Sequence, residues 1–304
     1  MKNNGVIKEF FENPRDYEYE RVCGATEGNY PSYYMIPEAN MGTQKDQGDI
    51  GACVAETIVQ IAEEWWKRQF GKQEEHSEGY AYGSLRAEKS TGYGLVPSMA
   101  MQHWMEKGTL PKSYFDILLE MPDMKKKIQN RQDLADIAKR YRLSGFVKLK
   151  GADRDLQVKD ALMKYQYGLV SAGSGHCMQL VGWDDSKDKY ICRDSYGYDK
   201  NGGNGYVAKT KKNIDEIYLP LFEEVKLPFI DVSENAWYSK SVKNLYFAGL
   251  MSGTSETTFE PNKTLTRAEG AALIDRLYSN MVEMFRSANL NVNEKLEILE
   301  DRLS

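Results

Sequence analysis

Apolar residues recur at three-to-four spacing through Ala55, Ile58, Val59, Ala62, Trp65, Trp66 and Phe70, a period that predicts an amphipathic helix with one apolar face. Gly71 closes it, and the charged run Lys72 to Glu78 reads as solvated loop. Upstream, Met41 to Gly51 carries Gly42, Gly48 and Gly51 and reads as loop. Residues 1–40, with Pro14, Pro31, Pro37 and many tyrosines, read as an extended lead-in packed on a domain surface. A second helix is predicted over Pro97–Lys107, with proline in the first turn and Gly108 as the stop. The charged stretch 123–140 and the segment Leu156–Tyr165 are also expected to be helical. After Gly168 the period changes. His176 to Trp183 is a mostly apolar strand, Lys189 to Arg193 a second beyond the turn Asp184–Asp188, and Tyr206 to Lys209 a third beyond the turn Gly202–Gly205. Helices followed by antiparallel strands make an α+β pattern rather than a βαβ one.

Leu219 to Pro228 holds two prolines and a Glu-Glu pair and marks a boundary. The expected organisation is a first domain over 1–222, a linker over 223–228, a small mainly helical unit over 229–280 and a C-terminal amphipathic helix over 281–304, with Leu296, Leu299 and Leu303 on one side. In the small unit a helix is expected at Ser239–Ala248, then a glycine-containing loop over Gly249–Pro261. A second helix starts near Thr266, whose spacing to Glu269 is that of a capping box.

Composition narrows the chemistry. In 304 residues, 40 Lys+Arg face 45 Asp+Glu for a net charge of -5, which argues against a general nucleic-acid binder. No apolar run approaches the roughly 18 residues that cross a bilayer, so no membrane span is expected. Met1 to Pro14 has no long apolar stretch and does not read as a secretory signal. The three histidines, His76, His103 and His176, are far apart, so neither a histidine metal site nor a cofactor is expected. The four cysteines, Cys23, Cys53, Cys177 and Cys192, include no CxxC and make no disulfide scaffold.

Cys53 stands where a glycine-containing loop turns into a helix. By itself that position fits either a buried structural cysteine or a thiol whose pKa is lowered by the helix terminus. His76, among Glu74, Glu75 and Glu78, reads as an exposed loop residue, and His103, inside a helical run, as structural. His176, at the mouth of a strand after the small residues Ala172 to Gly175, is the best placed to face a cleft as a base. A hairpin returns the end of the next strand toward it, so Asp194 can approach His176 and orient the imidazole.

These residues fall into a known pattern. Gln47-Gly48-Asp49-Ile50-Gly51-Ala52-Cys53-Val54-Ala55 resembles the nucleophile segment of papain-like cysteine proteases. His176-Cys177-Met178-Gln179-Leu180-Val181-Gly182-Trp183 resembles their histidine strand. Arg193-Asp194-Ser195-Tyr196-Gly197 resembles their Asn-Ser-Trp-Gly segment, and Gly205-Tyr206 their closing Gly-Tyr. The resemblance covers about residues 30–222 and implies a two-part fold, a helical half against an antiparallel β half. It implies Cys53 as nucleophile, His176 as its proton partner, Asp194 as third member and Gln47 as oxyanion donor, with Gly92 or Gly94 pairing with an extended polypeptide substrate. Asp194 stands where the family has Asn, Tyr196 where it has Trp, and Ile50 where it has a further cysteine. Fewer than 50 residues precede the motif, fewer than the family's inhibitory pro-region needs, so the expectation is either a mature fragment or a protein made without that latch.

Phe229-Ile230-Asp231-Val232, Trp237, Ala248-Gly249-Leu250-Met251-Ser252-Gly253, Phe259-Glu260-Pro261-Asn262 and Leu265-Thr266-Arg267-Ala268-Glu269 resemble one S-layer homology module. That resemblance implies anchoring to a bacterial cell-wall polymer, with Trp237 and Arg267 as candidate contacts to an anionic sugar; Trp237 in the core and Arg267 in a structural ion pair is the competing reading. The combined expectation is a cysteine endopeptidase held at a bacterial wall or outside the cell, with a cytoplasmic or phage-associated protein left open. The alternatives are a thiol acyl-transferase or amidase of transglutaminase type, and a non-catalytic wall-binding protein on a protease scaffold.

Overall fold

The computed structural model describes residues 19–24, 28–84, 94–119, 123–198 apart from 130 and 132, 205–223, 226–247 and 250–282 apart from 280, together with 285. These divide into two compact units, the larger taking residues within 1–67 and 73–223, the smaller those within 68–72 and 224–304.

In chain order the helices are α1 (Tyr19–Cys23), α2 (Cys53–Phe70), α3 (Glu78–Ser84), α4 (Pro97–Lys107), α5 (Asp123–Gln129), α6 (Asp133–Ala138), α7 (Arg154–Tyr165) and α8 (Ser239–Phe247). The strands are β1 (Tyr33–Met35), β2 (Gly145–Leu149), β3 (Leu169–Gly173), β4 (His176–Asp184), β5 (Lys189–Arg193), β6 (Tyr206–Thr210) and β7 (Glu216–Leu221). The boundaries of α4 and β5 coincide with those read from the sequence. Proline occupies the first turn of α4, where its missing N–H costs nothing, and Gly108 ends the helix at φ 86°.

The strands form one antiparallel sheet in the order β2-β7-β3-β4-β5-β6, with β1 added beside the far end of β4. The helices do not simply precede it, because β1 lies before α2 and β2 lies between α6 and α7. β3, β7 and β2 were not resolved in the sequence pattern, and β7 runs into the proposed boundary at Leu219. Pro220 is accommodated there because β3 pairs only with Glu216–Tyr218, leaving β2 alone beside the proline.

The apolar face predicted for α2 is buried, with Ala55, Ile58, Val59 and Ala62 almost fully enclosed. Its opposite face is buried too: Glu56, Gln60, Glu63 and Glu64 are enclosed to the same degree. The helix is therefore a central one, not a half-exposed one. Lys45 Nζ lies 2.6 Å from Glu63 Oε1 and 2.8 Å from Glu78 Oε1. Glu63 also accepts from the backbone N–H of Thr43 and His76, and Glu64 from that of Gly168. Buried carboxylates persist when they are paired and hydrogen-bonded in this way.

The same network corrects the loop assigned to Lys72–Glu78. His76 is fully buried, its Nδ1 2.9 Å from Thr109 Oγ1 and its ring edge-on to Tyr141, and α3 begins at Glu78. All four cysteines are buried free thiols.

In the smaller unit Phe229, Val232 and Val242 form a compact core flanked by Leu227, Tyr238, Tyr246 and Phe259. Asp231 accepts from the backbone N–H of Phe259 and Glu260 at 2.9 and 2.7 Å, which holds its carboxyl below the usual range. The capping box forms as expected: Thr266 N donates to Glu269 Oε2 and Glu269 N to Thr266 Oγ1, starting a helix over 267–279. The expected helix over 281–304 and the turn over 202–204 lie largely outside the described residues.

Candidate active site

Cys53 is the first residue of α2 and is fully buried. Backbone N–H groups of Val54 and Cys177 stabilise its thiolate, as a helix start leads one to expect. Burial outweighs them and pushes the thiol well above its ordinary value, so the lowered pKa expected from position alone is not what the surroundings produce.

His176 opens β4, immediately before Cys177, and is 7% exposed. Its Nε2 lies 2.7 Å from Asp194 Oδ1, the approach expected from the hairpin. Its Nδ1 is buried with no hydrogen-bond partner. Tyr196 stacks on the ring at 5.3 Å with planes 19° apart, and interacts electrostatically with Cys53 and Asp194. Cys53, His176 and Asp194, all buried, and the half-buried Tyr196 thus lie close together. Asp194 follows the end of β5, with its N–H donated to Gly205 O at 2.9 Å and the N–H of Ser195 donated to its own Oδ1 at 2.8 Å.

Gln47 lies six residues before Cys53 in a tight turn, where Ile50 N donates to Gln47 O. Its Nε2 donates to Ile50 O at 2.6 Å, and its Oε1 accepts from Ser195 Oγ at 2.5 Å. An amide nitrogen carries two N–H groups, and Ile50 takes one. Ser195 was read only as part of a motif. Its hydroxyl reaches a residue 148 positions upstream, a contact with no local signature.

The segments on either side are laced together. Arg193 Nη2 donates to Gly42 O, Gln44 Nε2 to Asp194 O, Gln47 N to Ser195 O and Gly197 N to Lys45 O. Gly94 is buried three residues before α4, and Gly92 lies outside the described residues. Among the described residues no cluster of His, Cys, Asp and Glu has the geometry to hold a metal ion. No helix there is long and apolar enough to cross a membrane.

In the smaller unit Trp237 is 91% exposed, so it is not a core residue. Arg267 is exposed as well. A cavity of about 400 Å³ lies between the loops 250–254 and 259–265 and the following helix, with Phe259, Lys263, Glu269 and Arg276 in its walls; neither Trp237 nor Arg267 lines it.

Comparison with known proteins places both units. Residues 228–271 match the family model of the S-layer homology domain. A search of curated protein sequences finds no match. Among solved structures, the chain is similar to xylellain, a cysteine protease from Xylella fastidiosa, with a TM-score of 0.58 at 16% identity over 73% of this chain and 97% of that one. Digestive procathepsin L2 from Tenebrio molitor larval midgut aligns with a TM-score of 0.56 at 16% identity, over 73% and 78% of the two chains. Procathepsin L 3 from the same source gives 0.53 at 16% identity, over 72% and 76%. The chain therefore has the papain-like cysteine protease fold, and residues 228–271 are an S-layer homology domain.

Proposed function

We propose that the larger unit is a cysteine endopeptidase and that the S-layer homology domain holds it to an anionic bacterial cell-wall polymer. The observation that carries the first half is the 2.7 Å contact between His176 Nε2 and Asp194 Oδ1, one strand residue from the N–H that supports Cys53. With Nε2 engaged by the carboxylate, Nδ1 remains to take the thiol proton. Burial disfavours a free thiolate, so the sulfur is deprotonated as it attacks, and His176 carries the proton to the leaving amine. Asp194 orients the imidazole and stabilises its charged form. The backbone N–H of Cys53 and the second amide N–H of Gln47 receive the oxyanion, and water then releases the acyl group. Gly92 or Gly94 is proposed to line the path of the substrate backbone.

Wall anchoring is supported by the exposure of Trp237 and Arg267: an aromatic face suits a sugar ring and a guanidinium suits an acid group. The proposed setting is the bacterial wall or cell surface.

The decisive experiment is a peptide-cleavage screen of the full chain and of Cys53→Ala, run with and without an amine acceptor. Turnover by the wild type alone, with free acid as product, is expected. Amide product in the presence of the amine would make the unit a transferase. A folded Cys53→Ala protein that still cleaves would overturn the mechanism.

A further inference from the structure

We infer that Gln44 is a positioning residue for the reaction, acting through Asp194 by pinning the peptide plane between Asp194 and Ser195. The inference rests on the peptidase reading above and adds a residue to it.

A carboxylate orients an imidazole only if it is itself held. Asp194 lies one residue beyond the end of β5. Gln44 donates to its carbonyl: its Nε2 lies 2.5 Å from Asp194 O, and 3.3 Å from Lys45 O. The Asp194 carbonyl and the Ser195 N–H belong to the same rigid peptide plane and point in opposite directions. The N–H end of that plane donates to Asp194 Oδ1 at 2.8 Å, and Oδ1 is the atom 2.7 Å from His176 Nε2. Holding the carbonyl end therefore fixes the other end, and with it the carboxylate oxygen that meets the imidazole.

Gly205 completes the clamp. Its carbonyl accepts the Asp194 N–H at 2.9 Å. Its φ of +73° favours glycine, and a Cβ there would come within 2.6 Å of Gln44 Oε1. The Gln44 amide thus occupies space that any other residue at 205 would take. The side chain is half-buried, and its Oε1 is enclosed without a partner, so its fixed contacts are the two carbonyls.

The test uses the full chain with Gln44→Met, which keeps length and bulk but cannot donate, and Gln44→Glu as a second donor-free variant should the first fold poorly. The kcat for a peptide substrate is expected to fall about tenfold, the effect of losing one hydrogen bond of ordinary strength, with KM changed less than twofold. In an Asp194→Ala background the same substitution should change kcat less than twofold, because its route is already cut. An equal loss in both backgrounds would overturn the inference, as would an unchanged kcat in a folded variant. A readout independent of turnover is the low-field proton resonance of the His176–Asp194 hydrogen bond, assigned by its loss in Asp194→Ala. It is expected to shift or broaden in Gln44→Met, and an unmoved resonance also rejects the role. If the wild type cleaves no peptide, the peptidase reading fails, and the resonance still decides whether Gln44 holds Asp194.

Discussion

Ser195 joins two side chains proposed to serve different steps: its hydroxyl fixes the Gln47 amide and its N–H meets the carboxylate that orients His176. Ser195→Ala removes the first bond and keeps the second, so kcat is expected to fall about 5- to 30-fold, from roughly 1–2 kcal/mol of lost hydrogen bonding, with little change in KM. Steady-state kinetics on one peptide would check it; an unchanged kcat would show that Gln47 is held adequately by Ile50. At this scale the sequence was informative where chemistry leaves a motif. The placement of Cys53 at a helix start, of His176 at a strand mouth and of Asp194 beside it was legible, because these carry local signals. The hydroxyl of Ser195 and the amide of Gln44 were not, because each has its partner about 150 residues away and neither residue type is unusual in a loop. The sequence left open whether Cys53 is buried or activated for a related reason: a helix terminus can be read from sequence, whereas complete enclosure of the sulfur cannot.

Among elements, α2 departs most from expectation. Its apolar stripe was readable, but its polar stripe is buried against groups from distant segments, above all Lys45 and His76. Both oxygens of Glu56 are enclosed without hydrogen bonds, and burial raises its carboxyl well above the usual range. Glu56→Leu is therefore expected to stabilise the protein by about 1–3 kcal/mol at neutral pH. The unfolded carboxyl ionises at ordinary values, so this gain should grow as pH rises above about 4.5 and shrink below it, measurable by urea unfolding at two pH values. His76, beside the start of α3, has the opposite dependence. Burial lowers its pKa from 6.5 to about 3, so below pH 6.5 the unfolded chain takes up a proton that the native state refuses. The contribution of His76 is complete above pH 6.5 and is lost as pH falls toward 3, by about 1.4 kcal/mol per unit. His76→Gln should flatten that part of the stability curve, and an unchanged slope would mean that His76 gains water or a partner before it charges. The short strands β2, β3 and β7 escaped notice because their registers are set by one another, and Pro220 in β7 locally imitates a linker.

At the scale of the molecule, the chain divides into two compact units, one proposed to cleave and the other proposed to anchor. A fragment ending at residue 222 is expected to cleave a soluble peptide at the rate of the full chain, since few contacts normally cross such boundaries. It should no longer sediment with purified bacterial walls. Arg267→Ala should weaken sedimentation of the full chain, and so should added salt, because an exposed guanidinium–acid contact is screened. Equal sedimentation of fragment and full chain would reject the anchoring role and leave the peptidase proposal standing. The α+β class and the S-layer homology segment were legible at this scale, because each rests on many separated positions rather than one contact.

The four buried thiols carry a practical consequence for storage and assay. No sulfur pair in the scaffold is oxidised, so a strong reductant is expected to keep the proposed nucleophile, Cys53, reduced without loosening the fold around it. Activity lost on standing is expected to return when reductant is added, while the thermal unfolding midpoint stays the same in its presence and absence.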